Sequence, residues 1–181
     1  MKKEKTDYFK ELEKFSSGCM HEAENFLKIC SRQNPLNNVN DSISELRNLT
    51  VLLKKEYFTP IERDDIYLLA CTLSDIELSI KRLNSAALQS VKLPTEIMTL
   101  SNFLYSSAEK INETVKLLSE FPKSDIYTLI FEVKKTAERA LNFAKNILQS
   151  NFCAITESFK DCIRKCAEFS DRMIYIHLKN T

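Results

Sequence analysis

The sequence predicts an all-α fold, six long amphipathic helices packed as one antiparallel bundle made of two three-helix repeats. Three observations predict it. The 181 residues include one Gly and four Pro, too few for the turns of a β or α/β fold. Apolar residues recur at steps of three and four through six segments, which is the helical period. Polar residues in the third segment recur in the sixth at a constant spacing.

The first segment, residues 7–31, carries Phe9, Leu12, Phe15, Cys19, Ala23, Phe26 and Cys30 on one face. Gly18 lies inside it and is expected to weaken the helix by about 1 kcal/mol relative to Ala. Residues 32–38, with Asn34, Pro35, Asn37 and Asn38, read as a loop. Asp41 or Ser42 can cap a second helix with Ile43, Leu46, Leu49 and Leu53 on its apolar face, closing near Tyr57 and Phe58.

Thr59-Pro60 is a restart signal, with Thr59 as N-cap and Pro60 at the first helical position. Glu62, Asp64 and Asp65 then place negative charge in the first turn. This third helix runs to about Ser90, a rod of about 45 Å, with Ile66, Leu69, Leu73, Ile76, Ile80 and Leu83 as its stripe.

Pro94-Thr95 breaks the chain again. The fourth helix carries Ile97, Leu100, Leu104, Ala108, Ile111, Val115 and Leu118, nearly a heptad seam. Phe121-Pro122-Lys123 ends it. Ser124 and Asp125 begin the fifth, with Ile126, Ile130, Val133, Ala137, Ala140, Ala144 and Ile147. After a weaker break near Gln149, the sixth runs to about Leu178 with Ile155, Phe159, Cys162, Cys166, Phe169, Met173 and Ile176. Six such faces must bury one another. No Pro/Ser/Gly-rich linker divides the chain, so one domain over 1–181 is expected, with halves at about 1–92 and 93–181.

The repeat rests on an offset of 96. Asp65 matches Asp161, Ser74-Asp75 matches Ser170-Asp171, and Asn84 matches Asn180. Leu73 meets Phe169, Leu78 meets Ile174 and Ile80 meets Ile176, whereas Leu69 meets Lys165.

Composition excludes several functions. One Gly cannot write GxGxxG or a Walker loop. The net charge of +1, from 26 basic and 25 acidic residues, lacks the basic excess of a general nucleic-acid binder. The start Met1-Lys2-Lys3-Glu4-Lys5 leads into no apolar run. With no signal peptide or transmembrane helix read from the chain, a cytoplasmic protein is expected, peripheral to a membrane at most. Cysteines at 19, 30, 71, 153, 162 and 166 are then mostly core residues, since free Cys packs as a small hydrophobe.

The stretch Tyr57-Phe58-Thr59-Pro60-Ile61-Glu62-Arg63-Asp64-Asp65-Ile66-Tyr67, followed by Leu73-Ser74-Asp75-Ile76, resembles the signature of the PhoU-like phosphate-transport regulators, or Pit accessory proteins. Glu168-Phe169-Ser170-Asp171-Arg172 resembles a second family segment near the end. The resemblance implies a six-helix bundle of two repeats and a non-enzymatic role at the cytoplasmic side of an inorganic-phosphate transporter. It also implies iron or zinc held by Glu/Asp-x-x-x-Asp pairs, in which residues i and i+4 converge on one cation.

This chain departs from that metal pattern. The matching positions are Ser74 and Leu78 in the third helix, Asp171 and Tyr175 in the sixth, and Ala137 and Leu141 in the fifth. Only Asp41 and Glu45 keep the spacing in the second. No metal is expected, with Asp75 and Asp171 the remaining candidates. Glu109/Glu113 and Glu157/Asp161 also have i,i+4 spacing but read as solvated faces. Cys162 and Cys166 could join Cys153 or His177 on zinc, although core packing is the simpler reading. His21 and His177 are the only histidines, and no triad context surrounds them.

The charge run Glu62-Arg63-Asp64-Asp65 is the candidate partner-facing surface, and Lys54, Lys55 and Arg63 could meet phosphate. The expected function is docking on a phosphate transporter. The alternatives are a carboxylate-based metal-binding bundle and a scaffold whose fourth and fifth helices pack between subunits.

Overall fold

A computed structural model describes residues 7–36, 41–55, 59–90, 93–120, 126–147 and 152–180. Among these residues there are six α-helices and no strand: α1 (Tyr8–Cys30), α2 (Ser42–Lys55), α3 (Arg63–Leu88), α4 (Thr95–Leu117), α5 (Tyr127–Lys145) and α6 (Cys153–Asn180). A 3-10 turn (Leu118–Glu120) follows α4. The anticipated ends at Tyr57, Phe58, Phe121, Pro122, Lys123, Ser124, Asp125 and Gln149 lie outside the described residues.

Local chemistry sets the helix ends. The Asp7 carboxylate accepts the Lys10 amide at 3.3 Å and caps α1. At the other end Arg32 takes φ 58° and the Gln33 amide donates back to the Lys28 carbonyl at 2.8 Å. That closes the last turn as a left-handed residue does. Asn25 then accepts the Leu36 amide at 2.7 Å and ties the outgoing chain to α1. Asp41, one of the two expected caps, accepts the Ser44 amide and starts α2.

The start of α3 differs from the expectation. Thr59 is not its N-cap, and Pro60 is not its first residue. The helix begins at Arg63 with Glu62 as cap residue. The Thr59 hydroxyl instead donates to the Ile61 carbonyl at 2.6 Å, and Ile61 is buried. Burying Ile61 holds the chain in a bend for three more residues. The first helical amide bond then runs from Ile66 to the Glu62 carbonyl at 3.1 Å. With 26 residues, α3 is about 39 Å long.

The predicted stripes of α3, α4, α5 and α6 are all buried, together with most of the α1 stripe. α1 packs on α3 and α4, α3 on α6, and α5 between α4 and α6. Each such Leu, Ile or Phe contributes about 1.5–3 kcal/mol by leaving water. Since the α4 and α5 seams lie inside the chain's own core, they are not the intersubunit surfaces of the scaffold reading.

Side-chain pairs give the directions. Ser16 bonds Asn112 at 2.9 Å and Ser31 reaches Met98, so α1 and α4 run in opposite senses. Lys165 meets Ser79 and Lys179 meets Asp65, so α3 and α6 do too.

α2 is the exception to tight packing. It lies mainly on α3, and of its predicted face only Leu49 and Leu53 are buried. Ile43, expected on that face, is 65% exposed, because α2 packs chiefly on α3, touches α1 only lightly, and so has a narrow inner face.

Candidate functional site

The run Glu62, Arg63, Asp64 and Asp65 is divided by the fold into two pairs. Glu62 and Asp65 turn toward the end of α6, where Lys179 Nζ stands 2.5 Å from Glu62 Oε2 and 3.2 Å from Asp65 Oδ2. The hydrogen bond to Glu62, followed by that to Asp65, raises the Lys179 pKa above the usual lysine range. Asp65 is buried, so Lys179 neutralises a carboxylate that would otherwise stand alone. These two acids therefore serve the joint between α3 and α6.

Arg63 and Asp64 turn toward α2. Together with Tyr67 they form one wall of a cleft of about 250 Å³, and Thr50, Leu53 and Lys54 form the other. Two basic groups singled out in the sequence, Lys54 and Arg63, thus share one cleft, whereas Lys55 does not line it. Tyr67 is 40% exposed, and a hydrogen bond with Cys71 one turn on raises its phenol pKa.

The remaining metal candidates are not joined. Asp171 is ion-paired to Lys134 of α5 at 2.6 Å, and Asp75 is exposed on α3. Among the described residues no group of three or more His, Cys, Asp or Glu side chains is arranged to hold a metal ion. Cys153 is exposed at the start of α6, while His177 is near its end with its ring against Tyr127 at 4.1 Å. On the one continuous helix Cys153 stands nine positions before Cys162 and His177 eleven after Cys166, about 14 and 17 Å along the axis, so neither can share one zinc ion with the cysteine pair. Cys19, Cys162 and Cys166 are buried, and burial raises each thiol pKa, that of Cys166 to about 12. Such thiols are neither nucleophiles nor ready metal ligands.

A polar seam between α1 and α3 is absent from the sequence reading. Glu77 is fully buried, and its carboxylate lies against Gly18, where a Cβ would come within 2.6 Å of Glu77 Oε2. Lys81 Nζ stands 2.6 Å from Glu77 Oε1, and Oε2 has no hydrogen-bond donor. One turn further along α1, Glu22 Oε2 and the Glu22 carbonyl both accept from Asn84 Nδ2, at 2.8 and 3.1 Å. Burial raises the Glu77 pKa; Glu22 and Glu45 raise it further, and Lys81 opposes them. Two signals pointed here. Glu77 is spaced four after Leu73 and three before Ile80, on the apolar stripe, and the only glycine of the chain sits inside a helix.

Compared with known proteins, the chain matches no family model and no curated sequence. Among the described residues no helix is long and apolar enough to cross a membrane.

Proposed function

We propose that the chain is a non-enzymatic accessory protein of inorganic-phosphate transport, acting in the cytoplasm by docking on a membrane transporter through the α2–α3 cleft. One observation carries this reading. The specific part of the PhoU-like resemblance, residues 59–67, forms the corner that builds the cleft. Lys179 ties Glu62 and Asp65 back, while Asp64 and Tyr67 stay exposed beside Lys54. A mixed rim of Lys54, Arg63 and Asp64 around Tyr67 and Leu53 suits a protein surface, because interfaces favour an aromatic centre within a polar border.

The two-repeat architecture belongs to the same proposal. The pairing of α1 with α4 and of α3 with α6 supports it, as two halves about a twofold axis would pair in that way. The halves have diverged in their middle helices: α2 packs chiefly on α3, whereas α5 packs on both α4 and α6.

Deleting the gene and measuring phosphate uptake and its regulation tests the role. Altered uptake, restored by the intact gene, is the expected result. Unchanged uptake and regulation would remove the proposal.

A further inference from the structure

The joint between α5 and α6 holds a second cleft, whose cations keep donors that the protein itself does not satisfy. The two helices are antiparallel: Tyr127 meets His177 at one end, and Lys134 meets Asp171 further along. Continued in that register, Leu141 stands opposite Arg164 and Lys145 opposite Lys160. Glu138, Leu141, Asn142 and Lys145 of α5, with Lys160 and Arg164 of α6, line a cleft of about 420 Å³. The lining carries three cations against one acid, in a chain whose net charge is only +1.

Lys160 is the most telling of these residues. Its side chain is only 7% exposed. Lysines are almost never buried so far unless paired, and one that merely packed its stem would carry its ammonium out to water. The Lys160 ammonium donates to Glu157 Oε1 at 2.8 Å, an exposed carboxylate one turn back on α6. An ammonium has three N–H groups, so two of them find no acceptor among the described residues. Lys145 donates to Asn142 Oδ1 at 3.2 Å, which leaves the Asn142 amide to donate in turn. The Arg164 guanidinium forms no hydrogen bond or ion pair among the described residues. Glu138 is exposed, and it lies two turns before Lys145, about 10 Å along α5. The end of the cleft at Lys145 and Lys160 is therefore its positive end.

We propose that this cleft binds a small phosphate-class oxyanion from solution, inorganic phosphate or a larger phosphate compound such as pyrophosphate. Donors converge from three side chains, which asks for more acceptors than the two oxygens of a carboxylate. A phosphate group offers three or four. The planar fork of Arg164 matches two of them, and the lysines act as point charges. The cleft shares no residue with the one between α2 and α3, so the inference stands whether or not that cleft docks a transporter.

Isothermal titration of the full chain with pyrophosphate and with inorganic phosphate, at fixed ionic strength in chloride, tests this. Pyrophosphate, which fills more of the cleft, is expected to bind at one site, and inorganic phosphate more weakly at the same site. Arg164→Gln changes an exposed side chain that the fold does not need, and should weaken pyrophosphate about tenfold or more. Lys54→Gln, in the other cleft, should leave the affinity unchanged. The absence of saturable binding by either anion overturns the proposal. So does equal affinity in the wild type and Arg164→Gln, or equal weakening by Lys54→Gln. Co-sedimentation with phosphatidylcholine vesicles carrying phosphatidic acid, without binding of the free anions, also overturns it, because the site would then serve a lipid headgroup.

Discussion

The carboxylate of Glu77 occupies the space that a side chain at position 18 would need. A Cβ on Gly18 would meet Glu77 Oε2 at 2.6 Å and Cδ at 2.9 Å. The single glycine of the chain is thus the partner of a fully buried acid rather than a break in α1, which continues unbroken from Tyr8 to Cys30. In an ordinary helix interior Gly18→Ala would stabilise by about 1 kcal/mol. Here it is expected to destabilise, because the carboxylate must leave its place beside Lys81. In a Glu77→Ala background the same change should become stabilising. A double-mutant cycle by denaturant unfolding should give a coupling of more than about 1 kcal/mol.

Protonation of Glu77 also has a global signature. Its folded pKa is raised, so its contribution to stability is present below about pH 4.5 and lost as pH rises through the folded value. Glu77→Gln should therefore melt higher than the wild type at neutral pH and equally near pH 4. Thermal unfolding across that range would show the two curves converging on the acid side.

Lys179 serves Asp65 more than it serves Glu62, since Asp65 is buried and Glu62 is exposed. Lys179→Ala should lower the melting temperature by leaving a buried carboxylate without its counter-charge. Adding Asp65→Asn should recover most of that loss. Adding Glu62→Gln should not.

Two residues on the predicted face of α2 should behave differently. Leu49 is fully buried, and Leu49→Ala is expected to cost about 2–5 kcal/mol. Ile43 is 65% exposed, and Ile43→Ala should stay within about 0.5 kcal/mol. Equal losses in urea unfolding would mean that α2 sits in another register.

Helix number and core faces were legible because each long helix has several packed neighbours. Its stripe is then wide, and period alone locates it, as for Ile97 through Val115 in α4. Ile43 misled because periodicity marks an apolar face without saying how much of it finds a partner. The start of α3 misled because Thr59-Pro60 has the chemistry of a helix start, and only the burial of Ile61 moves that start to Arg63. In the charge run 62–65, spacing could not show that Lys179, 114 residues away from Asp65 in sequence, would claim two of its acids. Gly18 and Glu77 were each odd in sequence, but nothing local pairs position 18 with position 77.

The docking role is tested most directly by phosphate uptake in a deletion strain complemented in parallel with three genes. These are the wild type, the cleft variant Lys54→Glu/Tyr67→Ala, and Asp171→Asn, which alters a metal candidate on a different helix. The two proteins with intact clefts should restore wild-type uptake, and the folded cleft variant should not. Full restoration by Lys54→Glu/Tyr67→Ala would contradict the account.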